Sequence, residues 1–256
     1  MHTLTEAIRF ILRDGVDQPG EPTLLSLTLR HLEVCGIAMA IAIAIALPIG
    51  VCLGHIRRGA FIAINVSNIG RALPSLAVIA IGVAFIGLGF TNVVVALVVL
   101  AVPPMVTNAY VGVAGVDADV VDAARGMGMR EREIVLRVEL PLAVPTIFAG
   151  VRVAAVFVIA TATIASVAGF SGTLGDVIAN QASYHSSGVL GAAICVAALA
   201  LAVDAAFGLL QKAATPRGLR ATALPPAAPP DAQLGRVPGV PGGGLDRLAG
   251  PVTVDT

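Results

Sequence analysis

Apolar residues run through this chain in long stretches broken by short polar segments. Four stretches contain no Asp, Glu, Lys or Arg: 34–56, 72–116, 153–175 and 177–203. A helix that crosses the hydrocarbon core of a bilayer needs about 20 mostly apolar residues. The second stretch is long enough for two such helices, and Gly87-Leu88-Gly89-Phe90-Thr91-Asn92 supplies a turn in its middle. The pattern predicts an all-α polytopic membrane protein with about five transmembrane helices, near 33–54, 68–87, 92–113, 147–169 and 189–211. The first span starts too far from the N-terminus and runs too long for a cleavable leader. Residues 5–13 read as a short amphipathic helix at the membrane surface.

The basic residues orient these spans. Arg57 and Arg58 follow the first, Arg125, Arg130, Arg132 and Arg137 lie between the third and fourth, and Lys212, Arg217 and Arg220 follow the fifth. The turns between spans two and three and between four and five have no Lys or Arg. Basic loops stay in the cytoplasm, which puts the N-terminus outside and the C-terminus inside; Arg9, Arg13 and Arg30 are the exceptions on the outer side. Three regions follow: a 1–22 extracytoplasmic or interfacial segment, a 23–214 membrane domain with a cytoplasmic loop at 114–140, and a 215–256 tail. The tail holds half of the 16 prolines and the run Gly242-Gly243-Gly244, a composition that favours disorder.

Composition narrows the chemistry. Hydrophobic residues make up 57% of the chain and charged residues 12%, with a mean hydropathy of +0.91, where a soluble protein is about a quarter charged. The formal net charge is zero, so nothing points to nucleic acid. Cys35, Cys52 and Cys195 are unclustered and read as packing residues, not metal ligands. The one lysine, Lys212, precedes Ala213, so the Gly-Lys-Ser/Thr of a phosphate-binding loop is excluded. His185 has no neighbour that would make a triad or a metal site, and no catalytic residue is assigned.

Within the spans, Ala38, Ala42, Ala46, Gly50 and Gly54 recur at every fourth position. This is a packing seam inside or between subunits, or the plain filling of an Ala-rich chain. Pro48 is expected to kink its helix, and Pro103-Pro104 to break regular helix in the third span.

The 114–140 loop carries the most information. Asp117 can cap a helix, Asp122 and Arg125 suit its dipole, and Gly126 and Gly128 interrupt it. A second helical stretch runs from Arg130 through Val138, with a Glu133/Arg137 pair, and Pro141 ends it before the fourth span. Two short helices joined by a glycine bend make a compact knob on the cytoplasmic face.

Asp122-Ala123-Ala124, then Gly128 after three residues, then Val138-Glu139-Leu140-Pro141 after nine more, resembles the Glu-Ala-Ala loop of ABC importer permeases. Asp122 replaces Glu and Val138 replaces Ile; the spacing agrees throughout. With Leu73-Pro74-Ser75-Leu76-Ala77 upstream and Leu174-Gly175-Asp176-Val177-Ile178 downstream, the chain looks like the glycine betaine/carnitine/choline permease subgroup over about 60–212. It departs from that subgroup at Arg71, where a polar uncharged residue is usual, and in the bulkier Gly169–Gly175 segment.

The resemblance implies a fold of the MetI-like permease type in the bacterial plasma (inner) membrane. It implies that Asp122, Ala123, Ala124, Gly126, Gly128, Val138, Leu140 and Pro141 form the loop that fits a groove on a cytoplasmic ABC ATPase subunit. It further implies a second permease subunit, alike or related, and no cofactor in this chain, with ATP and Mg²⁺ on the ATPase. Quaternary ammonium groups are held in aromatic cages, and this chain has no Trp and two Tyr, so an extracytoplasmic solute-binding protein is expected to select the solute. Membrane lipid is the remaining partner.

Ser75, Asn108, Thr161, Thr163 and Ser166 are candidates to line the pathway, against the alternative that each side chain bonds its own helix backbone. Asp204, in the inner half of the fifth span, is a candidate inner gate; the alternative for it, and for Arg71 and Arg152 near the cytoplasmic ends of spans two and four, is snorkelling and ion pairing near the interface. Three other functions stay open: a permease for another small solute such as an amino acid, an ion-coupled secondary transporter, and a non-transporting scaffold. The second would need intramembrane coupling carboxylates, of which Asp204 alone qualifies, and would leave the 114–140 loop unexplained.

Overall fold

Four helices carry the architecture of the computed structural model. These are α2 (Leu24–His55), α4 (Phe90–Ala114), α7 (Leu140–Ala162) and α9 (Gln181–Ala214). Residues 2–14, 22–57, 72–215 and the isolated positions 60, 61, 65, 68 and 70 are described. The chain divides into two units, Met1–Pro216 and Arg217–Thr256, and the second, with nearly all of the expected tail, lies outside the described residues. So do Arg58 and Arg71.

Contacts at the glycines fix the directions of the helices. Gly50 lies against Val106 and Ala109, and Gly54 against Tyr110 and Val113, so α2 and α4 run side by side in the same direction. Gly112 faces Ala143 and Thr146 while Gly150 faces Pro104 and Asn108, so α7 runs opposite to α4. Arg152 meets Asp204, and Pro145 meets Gln211, so α9 runs opposite to α7. Ala38, Ala42, Ala46, Gly50 and Gly54 are all buried. The small-residue stripe is therefore a seam inside this subunit, and its narrow side chains bring the α2 and α4 backbones together.

Because α2 and α4 are parallel, the chain between them must return along the bundle. Gly70 packs on Pro103, and Gly82 on Asn92, which marks that return. Its described helix, α3 (Ser75–Ile86), has twelve residues and is about 18 Å long, and most of 58–71 before it lies outside the described residues. Among the described residues, four helices have the length and hydropathy of a span, and α3 covers part of the expected second span. Gly87 (φ 91°) and Gly89 (φ 117°) form the turn into α4, a conformation that favours glycine.

Two expected breaks are absent. Helix α4 continues through Pro103 and Pro104; Gly70 gives the first ring room, and Thr107 Oγ1 and Asn108 Nδ2 bond the two proline carbonyls at 3.0 and 2.8 Å. Pro141 does not end the loop's second helix either. Helix α6 (Glu131–Ile134) passes through a π-helical turn (Val135–Glu139) straight into α7. A proline ring collides with the carbonyl four residues back in a regular helix, and the wider turn before Pro141 relieves that collision. The fourth span therefore begins in the loop and ends at Ala162, not near 169.

Helix α1 (His2–Leu12) buries Ala7 and Phe10 against Gly188 and Gly191 of α9 and leaves Leu4, Ile8 and Leu12 exposed. After α7 come a 3₁₀ turn (Ala165–Ala168) and α8 (Leu174–Ala179). His185 falls inside α9, not in a loop, at a kink with φ 54°.

Candidate functional site

The inner end of the bundle, assigned by its basic loops, carries the knob. Asp117 caps α5 (Ala118–Gly126), its carboxylate accepting from the Asp119 N–H at 2.9 Å. The helix ends with Met129 N–H on Ala124 O and Gly128 N–H on Arg125 O, the paired bonds that a left-handed residue after a helix makes. Gly128 is that residue, at φ 81°. Gly126 remains helical, so one glycine makes the bend. Val116, Val121, Ala124 and Ile134 form the knob's own apolar core, with Met129 and Val138 against it.

The expected loop residues divide accordingly. Asp122 and Ala123 are exposed, whereas Ala124 is buried in the knob, so only Ala123 presents its small side chain outward. Val138 closes the knob's core, and Leu140 packs on Ala109, Val113, Ala143 and Ile147 at the base. Glu133 accepts from the Arg130 N–H at 3.0 Å in place of the expected pair with Arg137, which the π turn carries out of register. Val120, Met127 and Leu136 stay exposed.

Beneath the knob lies a set of charges that the sequence reading passed over. Arg125 bonds Asp122 at 2.9 Å and Glu131 at 3.0 and 3.2 Å. Its hydrogen bonds to Glu131 raise the guanidinium pKa further. His55, the last residue of α2, stands between Glu131 (3.2 Å) and Glu139 (2.8 Å). Glu139 is 1% exposed. Its signal was a charged residue enclosed by Val138, Leu140 and Pro141, and that of His55 was its place at the end of the first charge-free stretch.

The pathway candidates do not gather at one place. Asn108 bonds Pro104 O and Thr163 bonds Ala160 O, each within its own helix. Ser75 starts α3, and Thr161 is buried near the outer end of α7. Ser166 lines an outer cavity of about 520 Å³ with Leu27, Ser171, Asp176 and Tyr184. Asp204 is held bidentately by Arg152 at 3.0 and 2.7 Å, and Arg152 also reaches Gln211 at 3.3 Å. The pair lines an apolar groove of about 650 Å³ with Val153, Phe157 and Leu201. His31 is fully buried in α2, with Nε2 3.1 Å from Ile159 O and Nδ1 without a partner. Near the outer end, Arg30 lies over the Phe170 ring at 5.2 Å, and Asp176 accepts from the Gly172 and Thr173 N–H groups.

A multi-pass helical bundle with a rigid knob between its spans is the plan of a membrane permease subunit. The family model described as binding-protein-dependent transport system inner membrane component matches residues 36–216, and the chain belongs to that family. It is thus an inner-membrane transport subunit. The carnitine transport permease protein OpuCB of Listeria monocytogenes is 39% identical over 198 residues, 77% of this chain and 90% of that one. The glycine betaine/carnitine/choline permease OpuCB of Bacillus subtilis is 36% identical over the same length, 77% of this chain and 91% of its own. Among solved structures, an inward-facing MetNI methionine ABC transporter chain shares the fold. Its TM-score is 0.65 at 20% identity, over 75% of this chain and 96% of that one.

Proposed function

We propose that the chain, with a second permease subunit alike or related, forms the path by which an ABC importer takes up a quaternary-ammonium compatible solute. That solute is of the glycine betaine, choline or carnitine class. A separate ATPase docks on the 114–140 loop and binds ATP and Mg²⁺. An extracytoplasmic binding protein delivers the solute to the outer end.

The observation that carries this reading is the knob. It stands at the basic end of the bundle and is fused through the π turn to a membrane helix. It also exposes Val120, Met127 and Leu136 on an otherwise charged surface. Exposed apolar groups on a rigid, polar element suit a groove in a partner protein. The names of the relatives support the solute class. For the pathway, the reading keeps Ser75, Asn108, Thr161, Thr163 and Ser166, with Asp204 as inner gate. A half-exposed Arg152–Asp204 pair between membrane helices suits a watery path or a subunit contact, because acyl chains would leave it unsolvated.

The test is a pull-down of the tagged protein from its native membrane in mild detergent, with co-purifying proteins identified by mass spectrometry. Recovery of an ATPase that an Asp122→Ala/Gly128→Ala double variant loses is the expected result. A wild-type chain that purifies without an ATPase would overturn the reading. Competition among glycine betaine, choline, carnitine and amino acids for uptake then identifies the solute.

A further inference from the structure

We propose that His55 and Glu139 form the joint through which the 114–140 loop moves helix α2, as positioning residues of the transport cycle. The inference rests on the reading that an ATPase docks on that loop.

Glu139 is the key to the joint. Its carboxylate is buried in the π turn that leads from the knob to α7. A buried acid must be paired or it destabilises the fold, and its partner is His55 Nδ1 at 2.8 Å. The other ring nitrogen faces Glu131 Oε2 at 3.2 Å. Glu131 holds Arg125, and Arg125 holds Asp122. Polar contacts thus run without a gap from the exposed face of α5 to a buried acid at the head of a membrane helix. The imidazole that closes the line is the last residue of α2.

A second strut flanks the first. Arg57, just past α2 with φ 49°, donates from Nη2 to Val116 O at 2.7 Å. Val116 enters the knob and Glu139 leaves it, so the inner end of α2 is gripped at both ends of the loop. The knob has its own apolar core, which packs its helices into one unit. A push on α5 therefore reaches α7 through the backbone and α2 through His55 and Arg57. From α2 the seam at Gly50 and Gly54 carries it to α4. With His55 silent, only the Arg57–Val116 bond would tie the knob to α2.

The experiment uses the whole transporter, purified through this chain and reconstituted in liposomes. It measures the ratio of solute accumulated to ATP hydrolysed. The probe is whichever of labelled glycine betaine, choline or carnitine the wild type accumulates. The central variant is the His55→Ala/Glu139→Gln double substitution, which leaves no buried charge unpaired. Its ratio is expected to fall about tenfold or more, within the usual range for coupling between sites; a ratio equal to wild type would overturn the joint.

Should that variant fail to assemble, Glu131→Ala on the exposed arm decides: a fall of about threefold supports the joint, and an unchanged ratio overturns it. His55→Arg keeps donors for both acids and is expected to recover part of the coupling that His55→Ala loses. Equal losses in the two would reduce the site to packing and overturn the joint. A wild-type complex without an ATPase would instead refute the docking reading, and the joint with it.

Discussion

Helix α2 offers a controlled test of the seam, because two of its glycines face different surroundings. A methyl group on Gly50 would stand 2.6 Å from Ala109 Cβ and 2.7 Å from Val106 O. Carbon pairs pack at about 3.5–4.0 Å, so the helices would have to part by roughly 1 Å. Val106 O is backbone and has no rotamer to escape into. A methyl group on Gly36 would meet nothing within 4 Å. Gly50→Ala is therefore expected to destabilise by about 1–3 kcal/mol through overpacking, and Gly36→Ala to be neutral or to gain up to about 1 kcal/mol of helix propensity.

The assay is thermal unfolding of the two purified variants in the same detergent. At about 2–4 °C per kcal/mol for a chain of this size, the Gly50 variant should melt roughly 2–16 °C below the Gly36 variant. Equal melting temperatures would show that α2 and α4 do not meet at Gly50, and the parallel arrangement drawn from that contact would fail.

Three further outcomes follow from the knob and the groove. Gly128→Ala places a side chain at φ 81° in open space, so its whole cost is the left-handed backbone, about 1–2 kcal/mol. Pull-down should recover less ATPase with it than with Gly126→Ala, which meets neither obstacle; equal recovery would count against the bend as the determinant of knob shape. Met127→Asp, at a residue 76% exposed, should leave the melting temperature within about 1 °C of wild type while abolishing ATPase recovery; full recovery would remove Met127 from the docking surface. Asp204→Asn should assemble normally and slow uptake, and normal uptake would remove the gate.

The sequence made the membrane helices legible because lipid demands long charge-free runs, and four such runs stand out along the chain. It also showed the knob, since Asp117, Gly128 and Pro141 punctuate 114–140 in a way no span would tolerate. Local rules failed where a neighbour decides. Pro103, Pro104 and Pro141 read as breaks because a proline's cost is local; the room at Pro103 comes from the distant Gly70, and at Pro141 from a π turn that no residue pattern announces. Ala124 read as a contact residue because its burial depends on Ile134, ten positions away. His55 and Glu139 went unread because their partnership joins positions 84 residues apart, and no spacing rule reaches that far. The stripe at Ala38–Gly54 was visible, but which surface it faced was not.

Helix α7 and its leader form the rod on which these parts hang. The run Glu131–Ala162 has 32 residues, about 48 Å at helical rise, with no flexible link between knob and membrane. Its polar ties lie at three levels: Glu139 to His55 at the inner end, Pro145 O to Gln211 and Arg152 to Asp204 in the middle, and Ile159 O to His31 near the outer end. The first and last go to α2 and the middle ones to α9. A rod tied at both ends to α2 cannot leave it without stranding a buried group, either Glu139 or His31. Unpairing a buried charge costs about 3–5 kcal/mol. The Arg152–Asp204 pair already sees an open groove, and water can replace either partner as it parts. Of the two separations, that of α7 from α2 strands the fully buried groups, whereas that of α7 from α9 breaks ties that are only partly buried.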